Sequence, residues 1–240
     1  DRIRRTLGGP LDGTLCEYMV LSQESVVAVP AHLSAEEAAT LPCAAVTAWN
    51  ALLTHGELQA GQTVLVQGSG GVSIFALQFA SMLGAQVIAT SSRDERLKRM
   101  LEMGAASVLN YRKEPHWGKL IQEMTDGWGV DLVVEVAGAD SLQQSLQAVR
   151  IGGRIILLGV LSAAAAELNI IPVFMKQVRV QGMLVGSRDD FEAMNRAVSL
   201  HRLRPTVGQV FELEEAAQAL QSMQRGDHFG KICIRIDSDG

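Results

Sequence analysis

The order of apolar and polar positions predicts strands and helices in alternation from residue 62 onward. Residues 63–67 (Thr-Val-Leu-Val-Gln) form a β-branched run of the kind that fills a buried parallel strand. A glycine turn over 68–72 and an apolar helix over 74–83 follow, ended by Gly84. The cycle returns as strand 86–90, helix 94–103 ended by Gly104, strand 107–110 and helix 117–125. Strand 131–136, helix 141–149, strand 154–158 and strand 178–185 complete it. Six strands in this order predict a parallel sheet covered on both faces. Right-handed crossovers make it a doubly wound α/β sheet, the Rossmann arrangement.

The flanks read differently. Residues 14–29 carry two short apolar runs split by Ser22-Gln23-Glu24-Ser25, predicting two strands closed by Pro30. Ser34 precedes Glu37 by three positions, a capping box opening a helix over 35–41. Pro42 breaks that helix, and 44–53 is a second apolar one. Beyond Gly186 come helix 189–201, strand 208–211, helix 214–224 and strand 231–236. The small strands at both ends do not belong to the six-strand sheet. They are expected to be two margins of a second lobe that the chain leaves and re-enters.

Composition narrows the classes of function. At about 150 residues per domain, 240 residues predict one large domain or one domain plus a fragment. The 48% hydrophobic and 20% charged residues match soluble globular chains and exclude a charged coiled coil. There are 21 basic against 26 acidic residues and no basic block, so no nucleic-acid partner is expected. No apolar stretch reaches the roughly 18 residues of a membrane span, so no membrane partner is expected either. Asp1 to Thr6 leads to no apolar signal core and does not read as a natural beginning. Cys16, Cys43 and Cys233 are odd in number and far apart, which predicts a reducing, cytoplasmic setting. With the five histidines they make no four-ligand zinc spacing. His32, His55, His116, His201 and His228 read as surface residues.

The chemistry concentrates at Gly68-Ser69-Gly70-Gly71-Val72-Ser73, where a strand ends and a helix begins. Gly68 permits a tight turn, and Gly70 lets the backbone approach a pyrophosphate. The helix N-terminus offers unpaired N–H groups to phosphates. Ser73 stands at the third glycine of that fingerprint. The plain alternative is a structural glycine-rich turn, and the five further strands argue against it. NAD-preferring folds place an acid at the tip of the second strand, about 20 residues on, to hold the ribose 2′-hydroxyl. Here the tip is Thr90-Ser91-Ser92-Arg93. Ser91 and Ser92 can donate hydroxyl bonds, and Arg93 or Arg96 can pair with a 2′-phosphate. NADP is therefore favoured, with NAD open. The alternative is that Arg93 and Arg96 are solvated residues of a helix's first turn, beside Asp94 and Glu95.

A wider set of motifs carries a family resemblance. Leu41-Pro-Cys-Ala-Ala-Val-Thr-Ala-Trp49 is followed by Ala60-Gly-Gln-Thr-Val-Leu-Val-Gln-Gly-Ser-Gly-Gly-Val72, Leu83-Gly-Ala-Gln-Val, Met103-Gly-Ala, Gly129-Val-Asp and Gly152-Gly-Arg. From about Gly13 to Ile236 the chain resembles the medium-chain dehydrogenase/reductase superfamily. Within it, the zinc-type alcohol dehydrogenase-like and quinone oxidoreductase-like branches are the similar ones. The resemblance implies a GroES-like β lobe followed by a Rossmann lobe, with a return at the end. It divides the chain into 1–30, a remnant of the GroES-like lobe, 31–205, the dinucleotide-binding domain, and 206–240, the return. Family members carry a further stretch ahead of the point where this sequence opens. That stretch holds the first zinc ligands and the usual proton relay, so zinc is not expected in this chain and no catalytic residue is assigned.

The resemblance also implies residue roles. Gly68, Gly70 and Gly71, with Val72, resemble the pyrophosphate loop. Ser91 stands where NAD-specific relatives have their acid, and Arg96 where they have a basic residue near the ribose. Tyr111 and Ala137 resemble residues lining the adenine side. Thr47 resembles the helix residue against the nicotinamide face. Gly159, Val160 and Val185 fall where backbone groups meet the carboxamide. Lys231 matches a basic residue reaching the pyrophosphate from the returning segment. Cys43 aligns with the third catalytic zinc ligand. Each has a plainer reading: Thr47 and Cys43 as small-residue packing, Tyr111 as surface packing, Lys231 as an exposed strand-edge lysine. The implied function is an NAD(P)-dependent oxidoreductase passing hydride between nicotinamide and a small carbonyl, alcohol or activated alkene. The alternative is a truncated NADP-binding module without turnover. A small-molecule substrate and a homodimer through edge strand 178–185 are the expected partners.

Overall fold

The computed structural model describes residues 6–162 and 164–236. The chain opens on two-residue strands, β1 (Thr6–Leu7) and β2 (Pro10–Leu11). The two strands predicted within 14–29 do not form; a three-residue 3-10 turn at Gln23–Ser25 is the regular structure there. Tyr18 is 80% exposed and Val20 fully so. A strand needs a ladder partner for its N–H and C=O groups, and among the described residues none lies alongside.

Helix α1 (Ala35–Ala39) opens on the predicted capping box. Ser34 Oγ accepts the Glu37 N–H at 3.2 Å, and Glu37 Oε2 accepts the Ser34 N–H at 2.9 Å. Pro42 removes a donor, and the helix widens to a π-type turn over Leu41–Ala45. Regular α2 (Val46–Trp49) follows, then a second π-type turn over Asn50–Thr54. The predicted helix 44–53 is therefore a mixed helical run.

The main sheet is built by β3 (Thr63–Gln67), α3 (Gly71–Met82), β4 (Gln86–Ser91), α4 (Asp94–Glu102) and β5 (Ser107–Asn110). Then come α5 (Trp117–Met124), β6 (Val130–Glu135), α6 (Ala139–Ala148), β7 (Val149–Leu157), α7 (Ile171–Met175) and β8 (Arg179–Gly182). The six strands lie in the order β5-β4-β3-β6-β7-β8, every neighbouring pair parallel. This is the predicted Rossmann sheet. Strand order reverses between β3 and β6, which opens a crevice at their carboxyl ends. The edge strand is shorter than the predicted 178–185, because Gln177 (φ 52°) and Val185 (φ 47°) turn the chain on either side of it.

The core lies on both faces of this sheet. On one, Val64, Val66 and Ala89 meet Phe75 and Phe79 of α3. Trp49 stands edge-on to Phe79 with ring centroids 5.5 Å apart. On the other, Leu65, Val133 and Ile155 pack on Ile121 of α5 and Leu146 of α6. Each such side chain contributes about 1.5–3 kcal/mol on burial. Helix α8 (Arg188–Leu200) covers the first face through Met194 and Val198. Then β9 (Val207–Glu212), α9 (Ala216–Arg225) and β10 (Lys231–Arg235) form a small parallel unit. It docks on α1, where Arg235 Nη2 donates to Glu36 Oε1 at 3.0 Å. Among the described residues no helix is long and apolar enough to cross a membrane.

Candidate functional site

Gly68 leaves β3 with φ 75°, a conformation that suits glycine, and its N–H donates to Thr90 O at 2.8 Å. Gly70 is the N-cap of α3 and supplies no capping side chain. The helix starts at Gly71, three residues before the predicted start, so its first N–H groups belong to the glycine turn. Ser73 is buried, and its Oγ donates to Gln67 O at 2.6 Å. A hydroxyl thus joins helix to strand where the fingerprint has its third glycine.

The return segment closes on this loop. Gly230 lies beside Gly70 in a parallel bridge, and its N–H donates to Ser69 O at 3.0 Å. A Cβ on Gly71 would overlap the Lys231 stem and stand 3.1 Å from Ala44 Cβ. Lys231 is therefore packed over the loop, not on an exposed strand edge. Val72 is half-buried against the core.

The crevice at the strand reversal holds a cavity of about 420 Å³ whose walls include Gln67, Gly68, Tyr111, Ala137, Asp140 and Ser141. Three of these, Gly68, Tyr111 and Ala137, are sequence-predicted. Beneath the cavity lies Glu135, fully buried at the end of β6. Its Oε1 accepts from the Ala137 N–H at 2.9 Å, the Gly138 N–H at 3.1 Å and Ser141 Oγ at 2.5 Å. Its Oε2 accepts from Gln67 Nε2 at 2.8 Å and Ser145 Oγ at 2.5 Å. This carboxylate ties β3, β6 and α6 together under the site, and sequence reasoning missed it. The available sign was an acid closing the apolar run Val133-Val134-Glu135. Gln67 Oε1 is buried with no hydrogen-bond partner, on a residue that lines the cavity.

At the tip of β4, Ser91 is buried and Ser92 half-buried. Arg93 Nη2 lies 2.9 Å from Asp227 Oδ1, and Arg96 Nη2 donates to Gly226 O at 2.5 Å. Arg225 Nε lies 3.2 Å from the other Asp227 oxygen. Arg93 and Arg96 are thus tied to the return segment, and neither is simply solvated in the first turn of α4. Burial, then the Arg93 charge, hold the Arg96 guanidinium below its ordinary range. Hydrogen bonds from Arg93, then Arg225, hold the Asp227 carboxyl low. His228 is half-buried rather than on the surface. Burial, then Arg96 and Lys231, push its imidazole down. His32 also departs from a surface reading, with Nε2 3.0 Å from Leu203 O.

Thr47 is buried on α2. One turn on, Asn50 Nδ2 donates to Val185 O at 3.0 Å and holds that residue in its left-handed conformation. Gly186 then backs onto Val46, so Val185 and Thr47 belong to one neighbourhood. Gly159 follows β7 and lies so close to Val136 O that a Cβ would stand 2.8 Å away. Val160, next to it, is 64% exposed. Cys43 is exposed on its π-type turn. Among the described residues no three His, Cys, Asp or Glu side chains gather to hold a metal.

Residues 71–199 match the zinc-binding dehydrogenase family. A zinc-type alcohol dehydrogenase-like protein of Schizosaccharomyces pombe is 38% identical over 237 residues, covering 96% of this chain and 68% of its own length. A quinone oxidoreductase of Pongo abelii is 28% identical over 90% of this chain and 67% of its own. The crystal structure of an NAD-dependent alcohol dehydrogenase, 34% identical, superposes with a TM-score of 0.92 over 97% of this chain and 68% of its own. The chain thus spans about two thirds of the length of these relatives. The six-strand order, the glycine turn and these matches agree: the chain belongs to the zinc-binding dehydrogenase family, a family of oxidoreductases within the medium-chain dehydrogenase/reductase superfamily.

Proposed function

We propose that this chain carries the cofactor lobe of an NAD(P)-dependent oxidoreductase, with NADP favoured over NAD. The observation that carries the reading is the closure of the return segment over the N-terminus of α3, with Lys231 packed on Gly71. The residues fit a dinucleotide: an uncapped helix start, a packed lysine, and an adjoining cavity at the strand reversal. The bound nucleotide would supply the hydride-carrying carbon for a small carbonyl, alcohol or activated alkene. In this reading Gly68, Gly70, Gly71 and Val72 approach the pyrophosphate, and Lys231 neutralises it. Tyr111 and Ala137 wall the adenine. Ser91, Ser92, Arg93 and Arg96 take the ribose phosphate. Thr47, Gly159, Val160 and Val185 orient the carboxamide end and exclude water. Residues 1–30 and 206–240 flank this lobe as margins of the second one.

The test is a titration with NADPH and NADH followed by assay against quinones, enals and aldehydes. Saturable binding, tighter for NADPH, supports the reading, and absence of binding refutes it. The second reading is a nucleotide-binding module without turnover; among the described residues Cys43 is an exposed free thiol with no cluster of further His, Cys, Asp or Glu ligands. Binding with no turnover on the whole panel would select it.

The reading extends to assembly and location. β8 forms the outer edge of the sheet, and Ile170, Ile171, Phe174, Met175 and Leu184 around it are each at least 55% exposed. Such a surface supports a homodimer through 178–185. Two exposed free thiols, Cys16 and Cys43, support a reducing cytoplasmic setting.

A further inference from the structure

We propose that Asp227 is a built-in counter-anion that sets how strongly this chain discriminates a 2′-phosphorylated nucleotide from an unphosphorylated one. Its carboxylate sits on the return segment, across from the tip of β4, with Oδ1 2.9 Å from Arg93 Nη2. Arg93 follows Ser91 and Ser92 directly and is the N-cap residue of α4, without a capping side chain. A cavity of about 260 Å³ opens here, where Arg93, Arg96 and Arg99 face Glu95 and Asp227. Arg99 is engaged with the Phe229 ring, its guanidinium carbon 3.9 Å from the centroid. Arg96 is held on the Gly226 carbonyl.

The consequence follows from charge. A phosphate is recognised best by the guanidinium fork, and Asp227 already occupies one arm of the Arg93 fork. A nucleotide with a bare 2′-hydroxyl leaves that ion pair untouched. A 2′-phosphate must displace the carboxylate or bind beside a like charge. The pair is about half exposed, at 49% and 42% for the two side chains, so it is weak enough to exchange. Asp227 therefore weakens binding of the phosphorylated nucleotide selectively. Arg225 holds the other oxygen and keeps the carboxylate at this spot.

This inference rests on the placement of the 2′-phosphate at Ser91–Arg96. Its test compares 2′,5′-ADP with 5′-AMP, which differ by that phosphate alone, in calorimetric titrations of the whole chain. Asp227→Asn keeps the size and removes the charge. It is expected to raise the affinity ratio of 2′,5′-ADP over 5′-AMP by several-fold to about tenfold. An unchanged or lower ratio overturns the proposal and makes Asp227 a residue that positions Arg93. Asp227→Ser serves as the second variant should the first fail to fold. In an Arg93→Ala background the same substitution is expected to give a much smaller gain, and an undiminished gain also overturns it. The placement itself is judged separately. If the wild-type chain and Arg93→Ala show the same ratio, the 2′-phosphate lies elsewhere, whatever Asp227→Asn does.

Discussion

Lys231 and Gly71 share one space: the lysine stem lies where a Cβ on the glycine would stand. The first residue of the last strand thereby covers the first residue of the helix that follows the glycine turn. Any side chain at position 71 has to push the lysine away and also meets Ala44 Cβ at 3.1 Å.

Gly71→Val is thus expected to lower NADPH affinity by about tenfold or more, because it displaces the lysine and blocks approach to the turn. Fluorescence titration checks this, with circular dichroism to confirm the fold. Wild-type affinity in the folded variant would place the pyrophosphate elsewhere.

Glu135→Gln tests the carboxylate that ties β3 to β6 and α6. Its two oxygens accept five hydrogen bonds, and an amide nitrogen in place of one oxygen would confront donors. The expected loss is about 2–4 kcal/mol of stability, read from chemical denaturation. A loss below about 0.5 kcal/mol would mean the donors find other acceptors.

Phe79 is fully buried and touches both Trp49 and Phe75, at ring centroid distances of 5.5 and 5.7 Å. Phe79→Ala should cost about 3–5 kcal/mol through the cavity it leaves. Equilibrium unfolding in urea measures this directly.

Two pH windows follow from the titratable groups. Hydrogen bonds from Lys113, then Asn110, hold Asp94 below its ordinary 3.8, and Arg93, then Arg225, do the same for Asp227. Their stabilisation is present above 3.8 and is lost as pH falls through the lower folded values. His228 is held below its ordinary 6.5 by burial, then by Arg96 and Lys231. Kept neutral in the fold, it contributes stability above 6.5 that is lost as pH falls below that value. The melting temperature should therefore fall in two steps on acidification. His228→Gln should remove the upper step and Asp94→Asn should soften the lower one.

What the sequence revealed depended on how local the cause was. β3 and α3 were legible because a β-branched run, a glycine and an apolar helix lie within a few residues of one another. The capping box at Ser34 and Glu37 is three residues long and was equally plain. Residues 14–29 misled because strand formation needs a partner, and apolar alternation says nothing about whether one is present. The site followed the same rule. Gly68, Tyr111 and Ala137 each follow a strand end, a position readable from sequence, and line one cavity. Asp227 meets Arg93 across 134 positions, and Glu135 meets Gln67 across 68. Neither pairing leaves a local pattern. Lys231 was nominated by family resemblance alone, and only the fold brings it to Gly71.

In the reading proposed above, the glycine turn, closed over by the return segment, holds a nicotinamide dinucleotide. Titrating the purified chain with NADPH and NADH, by quenching of the three tryptophans, tests it most directly. Saturable one-to-one binding of both is expected, tighter for NADPH, with the preference reduced in Arg93→Ala. Absence of saturable binding by either nucleotide to the folded chain would contradict it.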